Sequence, residues 1–389
     1  MRITPFRLLC TTGLFAIFSS TISKSPVLPL YAAHLGADPA GVGAVASVSA
    51  FTGIIASMPA GMLSDKLGRK RMLMFSAVIF STAPFLYPLA SSIRALAAIR
   101  FYHGFATAIF IPVAMAMVSD LFQKERGEKL GWFSTATLAG RFLAPLAGGA
   151  IIGALTMHPG MSFTTVYLLC GVAGVMALAL AAKIPGTPEG RQVGDTWAGA
   201  WSAFRAVIAD RRIVITSGVE AAVLFAYGAF ETFLPLYAVQ AGRSTYEVGL
   251  FLSIQVITLA LTKPVMGRFS DLHGRQGQIC AGAFIGAAAI AGFSYFQSFI
   301  PLLILSATFG LSISIVTSAT SAFIADLSRA GSHGSAMGIL GSVMDVGHTA
   351  GPLVSGIAAT FFGLGRAFTG AALVLVTAGV LFRAGVRKV

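Results

Sequence analysis

The sequence predicts an all-α membrane protein of twelve transmembrane helices arranged as two parallel six-helix repeats. Three observations lead there. Of 389 residues, 56% are hydrophobic and only 11% charged, against roughly 25% charged in an ordinary soluble domain. Twelve apolar runs alternate with short polar or Gly/Pro-bearing connections, and each is long enough to cross a hydrocarbon core of about 30 Å. Residues of the first half recur 206 positions later. A soluble globule, a disordered chain and a collagen-like repeat are excluded.

The runs lie near residues 8–34, 41–63, 72–90, 94–119, 129–153 and 163–184, then near 213–240, 246–269, 278–296, 299–325, 334–361 and 364–385. This divides the chain into a six-helix bundle over 1–184, a linker over 185–212 and a second bundle over 213–389. The first run extends without a small-residue cleavage site, so no signal peptide is expected. Forty-four Gly suit helices that approach closely inside a membrane. In the linker, Trp197, Trp201, Phe204 and Ile208 fall at helical spacing among Arg205, Asp210, Arg211 and Arg212, as an amphipathic helix on the inner leaflet requires.

The net charge of +13 is topological. Of 27 Lys and Arg, twenty fall in connections on one side of the membrane, and only Arg94, Arg243 and Arg366 on the other. Basic loops stay cytoplasmic, so both termini and the linker are expected there, in a bacterial cytoplasmic (inner) membrane. No nucleic-acid partner is implied. Cys10, Cys170 and Cys280 lie far apart in apolar stretches and read as small buried hydrophobes. Neither a disulfide framework, a metal site nor a cofactor is expected.

The repeat holds its register. Pro29-Leu30-Tyr31-Ala32 recurs as Pro235-Leu236-Tyr237-Ala238; Gly61, Ser64, Asp65, Gly68 and Arg69 recur as Gly267, Ser270, Asp271, Gly274 and Arg275; Asp120 recurs as Asp326. The offset becomes 207 for Pro145 and Pro352. An even number of spans per half gives the repeats one orientation, related by an axis along the membrane normal.

The loop Gly61-Met62-Leu63-Ser64-Asp65-Lys66-Leu67-Gly68-Arg69-Lys70-Arg71 resembles the signature of the major facilitator superfamily. Arg100-Phe101-Tyr102-His103-Gly104 in span four and Gly140-Arg141-Phe142-Leu143-Ala144-Pro145-Leu146-Ala147-Gly148-Gly149 in span five are similar to its drug/proton antiporter branch. Two residues depart from the branch pattern: His103 stands where it usually has Gln, and Ala144 where Gly normally precedes Pro. The resemblance implies that Asp65, Arg69 and Asp120, with Asp271, Arg275 and Asp326, form cytoplasmic charge clusters that lock one state of the transport cycle. Static loop staples are the alternative. Gly61 and Gly68 are expected to let helix ends and a tight loop come close. The ladder Gly140, Pro145, Gly148 and Gly149, and its partner Gly351-Pro352, make grooves for close helix packing; in antiporters of this kind the resemblance implies a hinge.

Seven ionisable side chains fall inside spans: Lys24, Arg100, Arg141 and Lys263 against Glu220, Glu231 and Asp345. Each is costly in hydrocarbon and so a functional candidate. Glu220, Tyr227 and Glu231 share one stripe of span seven; Arg100, His103 and Thr107 share one of span four; Ser342, Asp345 and Thr349 share one of span eleven. Proton coupling needs a carboxylate whose charge is disfavoured by burial and favoured by a nearby cation. Glu231 and Asp345 lead for that role, with ion pairs to Lys24 and Arg141 as the structural alternatives. Glu220 follows, and Arg100 resembles the antiporter branch's span-four arginine, which the resemblance implicates in proton handling; His103 and His348 read as proton relays or as plain helix contacts.

No Walker-type loop occurs, no nucleophile–base or metal constellation stands at fixed spacing, and no filter loop is repeated. An ATP-driven pump, an intramembrane enzyme and a channel are therefore disfavoured. The expectation is a secondary active transporter, proton-coupled, moving small lipophilic or amphipathic compounds outward. The alternative is a proton-coupled carrier of an organic anion, a zwitterionic metabolite or a metallophore. Its partners are a small-molecule substrate, protons and the lipid bilayer, and a monomer is the expected state.

Overall fold

The computed structural model describes residues 4–186, 210–327 and 333–386. The linker helix expected around Trp197–Ile208 lies outside them. The described residues form thirteen α-helices, one 3-10 turn and no strand. They are α1 (Pro5–Ile22), α2 (Val27–His34), α3 (Pro39–Leu67), α4 (Arg69–Leu86) with the turn Tyr87–Leu89, α5 (Ile93–Leu121), α6 (Arg126–Ala154) and α7 (Pro159–Lys183). After the linker come α8 (Arg211–Gln240), α9 (Thr245–His273), α10 (Arg275–Gly292), α11 (Phe299–Leu327), α12 (His333–Phe362) and α13 (Leu364–Val386).

The starts follow capping chemistry. Asp38 Oδ1 accepts from Gly41 N at 2.8 Å ahead of Pro39, and Ser92 Oγ accepts from Ala95 N at 3.2 Å. Ser244 and Glu247 form a reciprocal box, with Glu247 Oε2 accepting from Ser244 N at 2.6 Å and Ser244 Oγ accepting from Glu247 N at 3.2 Å. Gly68 (φ 92°) and Gly274 (φ 89°) make the sharp turns α3–α4 and α9–α10 in a region that favours glycine.

Ten segments among the described residues are long and apolar enough to cross a membrane. The first of these is Pro5–His34, α1 and α2 together. The sequence predicts it as one uninterrupted run, but the helix breaks at Ser23-Lys24-Ser25-Pro26, where Pro26 supplies no backbone N–H. The two long helices outside the ten are α10 and α12. Arg275, Gln276 and Gln278 crowd the first turn of α10, and α12 carries Asp345 and His348 along its length.

Two compact units emerge: Met1–Val193 with Ser244–Ser253, and Gly194–Arg243 with Ile254–Val389. In the first, Leu73, Phe80, Phe110, Val113, Met117 and Phe133 form the buried core. In the second, Phe230 packs on Phe293 and Phe309 with centroids 5.5 and 5.3 Å apart, and Phe293 on Phe368 at 5.5 Å.

Candidate functional site

The predicted charge clusters form where the helix ends bring them. In the first, Arg69 Nη2 meets Asp65 Oδ1 at 2.5 Å and Arg69 Nε meets Asp120 Oδ2 at 3.1 Å. Arg69 Nη1 also donates to Ser64 Oγ at 2.5 Å. Two hundred and six residues on, Arg275 Nη2 meets Asp271 Oδ1 at 3.2 Å and Arg275 Nε meets Asp326 Oδ2 at 2.5 Å. Here the serine bond is missing, for Arg275 Nη1 and Ser270 Oγ are both buried without a partner. Asp271 is also 64% exposed where Asp65 is 30% exposed, so water screens the second cluster more.

Gly68 has the positive φ that a glycine suits, but Gly61 corrects the expectation placed on it. A Cβ there would meet nothing within 4 Å. Its part is its carbonyl, which accepts from Ser64 Oγ at 2.6 Å. The ladder glycines do pack closely, Gly140 and Gly149 on backbone and Gly148 on side chains. A Cβ at Gly140 would stand 2.6 Å from the Leu14 carbonyl oxygen of α1, and one at Gly148 would stand 3.3 Å from Pro26. One at Gly149 would strike the Thr245 carbonyl of α9. In the second unit, Gly347 and Gly351 of α12 press on the Ala221 and Phe225 carbonyls of α8, and Gly228 faces Pro352.

Inside the first unit, Arg100 and His103 of α5 are each 2% exposed. Arg100 Nη1 donates to Tyr87 Oη at 3.1 Å and to Ser23 Oγ at 3.3 Å, and Tyr87 Oη meets His103 Nδ1 at 3.2 Å. Thr107, on the same face, bonds Ser20 of α1 at 2.8 Å. Lys24 lies in the α1–α2 break, and Arg141 is exposed on α6.

Inside the second unit, Glu220 is 1% and Glu231 6% exposed. Thr320 of α11 donates through Oγ1 to Glu220 Oε2, and Lys263 of α9 is near enough to act on that carboxylate electrostatically. Glu231 Oε2 lies 3.5 Å from His348 Nε2, and the His348 ring packs on Tyr227 at 5.4 Å. The span-seven stripe thus splits: Tyr227 and Glu231 meet His348 of α12, while Glu220 turns to Thr320. Asp345 is half-buried on α12. Among the described residues, no three His, Cys, Asp or Glu stand together as a metal site.

Sequence reasoning missed Tyr87, Tyr167, Ser23 and Thr320. Cys170, read as a small hydrophobe, donates to Ser19 O at 3.0 Å while Ser19 Oγ donates to Cys170 O at 2.9 Å. The signal available was the repeat itself: Tyr87, Arg100 and His103 align, at the offset of 206, with Phe293, Ser306 and Phe309.

The profile of the major facilitator superfamily matches residues 9–254 and, overlapping, 221–388. The chain belongs to the major facilitator superfamily. It is a membrane transporter of small molecules, and the family's fold brings twelve helices in two six-helix repeats. The chain is 26% identical over 367 residues to the multidrug resistance protein MdtG of Klebsiella pneumoniae, covering 92% of this chain and 86% of that one. It is 22% identical over 351 residues to multidrug resistance protein 1 of Bacillus subtilis, covering 89% and 87%. Among solved structures, the nucleoside transporter NupG superposes with a TM-score of 0.81 at 15% identity, over 97% of this chain and 99% of that one. A bacterial homologue of the human lysosomal transporter Spinster superposes with a TM-score of 0.79 at 16% identity, over 99% and 96%. Such low identities speak to the fold alone.

Proposed function

We propose that the chain is a proton-coupled antiporter that exports small lipophilic or amphipathic compounds by alternating access. The observation that carries this reading is the burial of Glu220 and Glu231, at 1% and 6% exposure, in α8, a helix apolar enough to cross a membrane. Thr320 donates to Glu220, and His348 faces Glu231. A carboxylate so placed can alternate between a neutral and a charged form as access changes sides. Two relatives named multidrug resistance proteins, at 22% and 26% identity, support the cargo class.

In this reading the repeats 1–184 and 213–389 rock as bodies in a bacterial cytoplasmic membrane, with both termini cytoplasmic and one chain sufficient. The Arg69 and Arg275 clusters hold one state, and the glycine–proline segments of α6 and α12 flex between states. Glu220, Glu231 and Asp345 carry the proton. A second reading, a proton-coupled carrier of organic anions, zwitterions or metallophores, is favoured by Arg100, a cation buried in the first unit.

The test is proton flux in proteoliposomes holding a trapped pH dye, with lipophilic cations, neutral drugs and organic anions added separately. Flux evoked by cations or neutral compounds, and lost in Glu231→Gln or Glu220→Gln, supports the exporter. Flux evoked only by anions supports the second reading, and no flux with any compound removes proton coupling.

A further inference from the structure

Tyr87, Arg100, His103 and Tyr167 form a polar group inside the first unit that helix packing does not require. Tyr87 opens the 3-10 turn after α4, Arg100 and His103 sit one turn apart on α5, and Tyr167 projects from α7. All four are at most 2% exposed. The Tyr87 and Tyr167 rings stack with centroids 4.3 Å apart and planes 2° from parallel. At the equivalent positions of the second unit, Phe293 and Phe309 pack on Phe230 as plain apolar rings, with Ser306 in place of the arginine. The same corner of the fold is thus built without these polar groups. Burying a guanidinium and an imidazole there is a cost the repeat shows to be avoidable.

Hydrogen-bond accounting says what is missing. Arginine only donates, so Tyr87 Oη and Ser23 Oγ both accept from it. Ser23 sends its own hydrogen to Ser20 O at 2.8 Å. The Tyr87 hydrogen then goes to His103 Nδ1, which fixes the histidine tautomer with its proton on Nε2. His103 Nε2, Arg100 Nε and the Tyr167 hydroxyl are all buried without a partner. Each can donate, and none finds an acceptor. Among the described residues of the first unit the acids are Asp38, Asp65, Asp120, Glu125, Glu128 and Glu247, every one at or beside a helix end. A buried cation and three buried donors therefore lack an anion within their own unit, and the planar two-oxygen partner that suits a guanidinium edge is a carboxylate.

We propose that this cluster is a carboxylate subsite for cargo: Arg100, with His103 and Tyr167 as further donors, takes the carboxylate of an amphipathic acid or zwitterion. Entry exchanges the neutral Ser23 and Tyr87 contacts of the guanidinium for a charged one. The proposal rests on the transporter reading above and names the chemical class of part of its substrate range.

The experiment titrates dansylglycine, its uncharged amide dansylglycinamide, and sodium acetate against the purified full chain in lipid nanodiscs, with empty nanodiscs as background. Dansyl fluorescence reports binding, and acetate is read by displacement. Wild type is expected to bind the acid at least tenfold more tightly than the amide. Arg100→Gln is expected to erase that difference by weakening binding of the acid at least tenfold. So is the triple variant Tyr87→Phe/Arg100→Ser/His103→Phe, which installs the second unit's own residues. Displacement of the acid by acetate at equal concentration would instead mark a site for a free small anion and overturn the cargo assignment. Equal affinity for acid and amide in wild type, binding of neither, or an acid preference that survives both variants also overturns it. So does a triple variant that fails to fold, because the polar groups would then be structural. Proton flux in proteoliposomes with neutral compounds is scored separately: if it persists while acid preference is absent, this subsite falls and the exporter stands.

Discussion

The two units share a backbone plan and differ in the side chains they carry at matching positions. Where the second unit has Phe230, Phe293, Ser306 and Phe309, the first has Lys24, Tyr87, Arg100 and His103; where the second has Glu220 and Glu231, the first has Leu14 and Ser25. Scaffold contacts, by contrast, are kept. Tyr31 Oη donates to Ala90 O at 3.2 Å, and Tyr237 Oη, 206 residues later, to Phe296 O at 3.3 Å. Gly140 presses on Leu14 O, and Gly347 on Ala221 O. Duplication therefore preserves helix packing, while fully buried formal charge divides into Arg100 in one unit and Glu220 and Glu231 in the other. The proposed roles divide the same way, cargo recognition in the first unit and proton carriage in the second.

The comparison is broken most directly at the acids. Glu231→Gln or Glu220→Gln is expected to reduce drug-evoked proton flux by about a hundredfold, roughly 2.7 kcal/mol on the barrier. Arg100→Gln should leave the flux driven by neutral compounds close to wild type. Equal losses on both sides would dissolve the division of labour. Next come the packing glycines: Gly140→Val and Gly347→Val should each destabilise by about 1–3 kcal/mol, read as matching drops in melting temperature. A large drop in only one would show that the repeat packing is less equivalent than the shared carbonyl contacts indicate.

Smaller effects sharpen it. Tyr31→Phe and Tyr237→Phe should each cost about 1 kcal/mol. The first should cost slightly more, because Tyr31 also reaches Tyr87 O at 3.1 Å. At the Arg69 and Arg275 clusters, Arg69→Ala should lower stability by about 1 kcal/mol and Arg275→Ala by a few tenths, and both effects should shrink in high salt. The order follows from the Ser64 bond present only in the first and the greater exposure of Asp271.

Span count, repeat and loop signature were legible in the sequence because each rests on local composition or on a register held over a hundred residues. The α1–α2 break was signalled by Ser23-Lys24-Ser25-Pro26 but masked by apolar runs on either side. Gly61 misled because a glycine in a shared motif was read as a close approach, whereas only three-dimensional packing separates Gly140, against a carbonyl, from Gly61, facing open space. Arg100 and His103 were visible as polar residues in an apolar helix. Their partners were not, since Tyr87 lies in the turn after α4 and Ser23 at the end of α1, and periodicity within one helix says nothing about its neighbours.

The most direct test of the division between acids and cations compares uphill accumulation with exchange in the same proteoliposomes. A labelled lipophilic substrate is followed under an imposed pH gradient, and then in counterflow with no gradient. The account predicts that Glu220→Gln/Glu231→Gln/Asp345→Asn loses pH-driven accumulation yet keeps counterflow, because cargo recognition and alternation survive without the coupled proton. Retained pH-driven accumulation in that variant would contradict it.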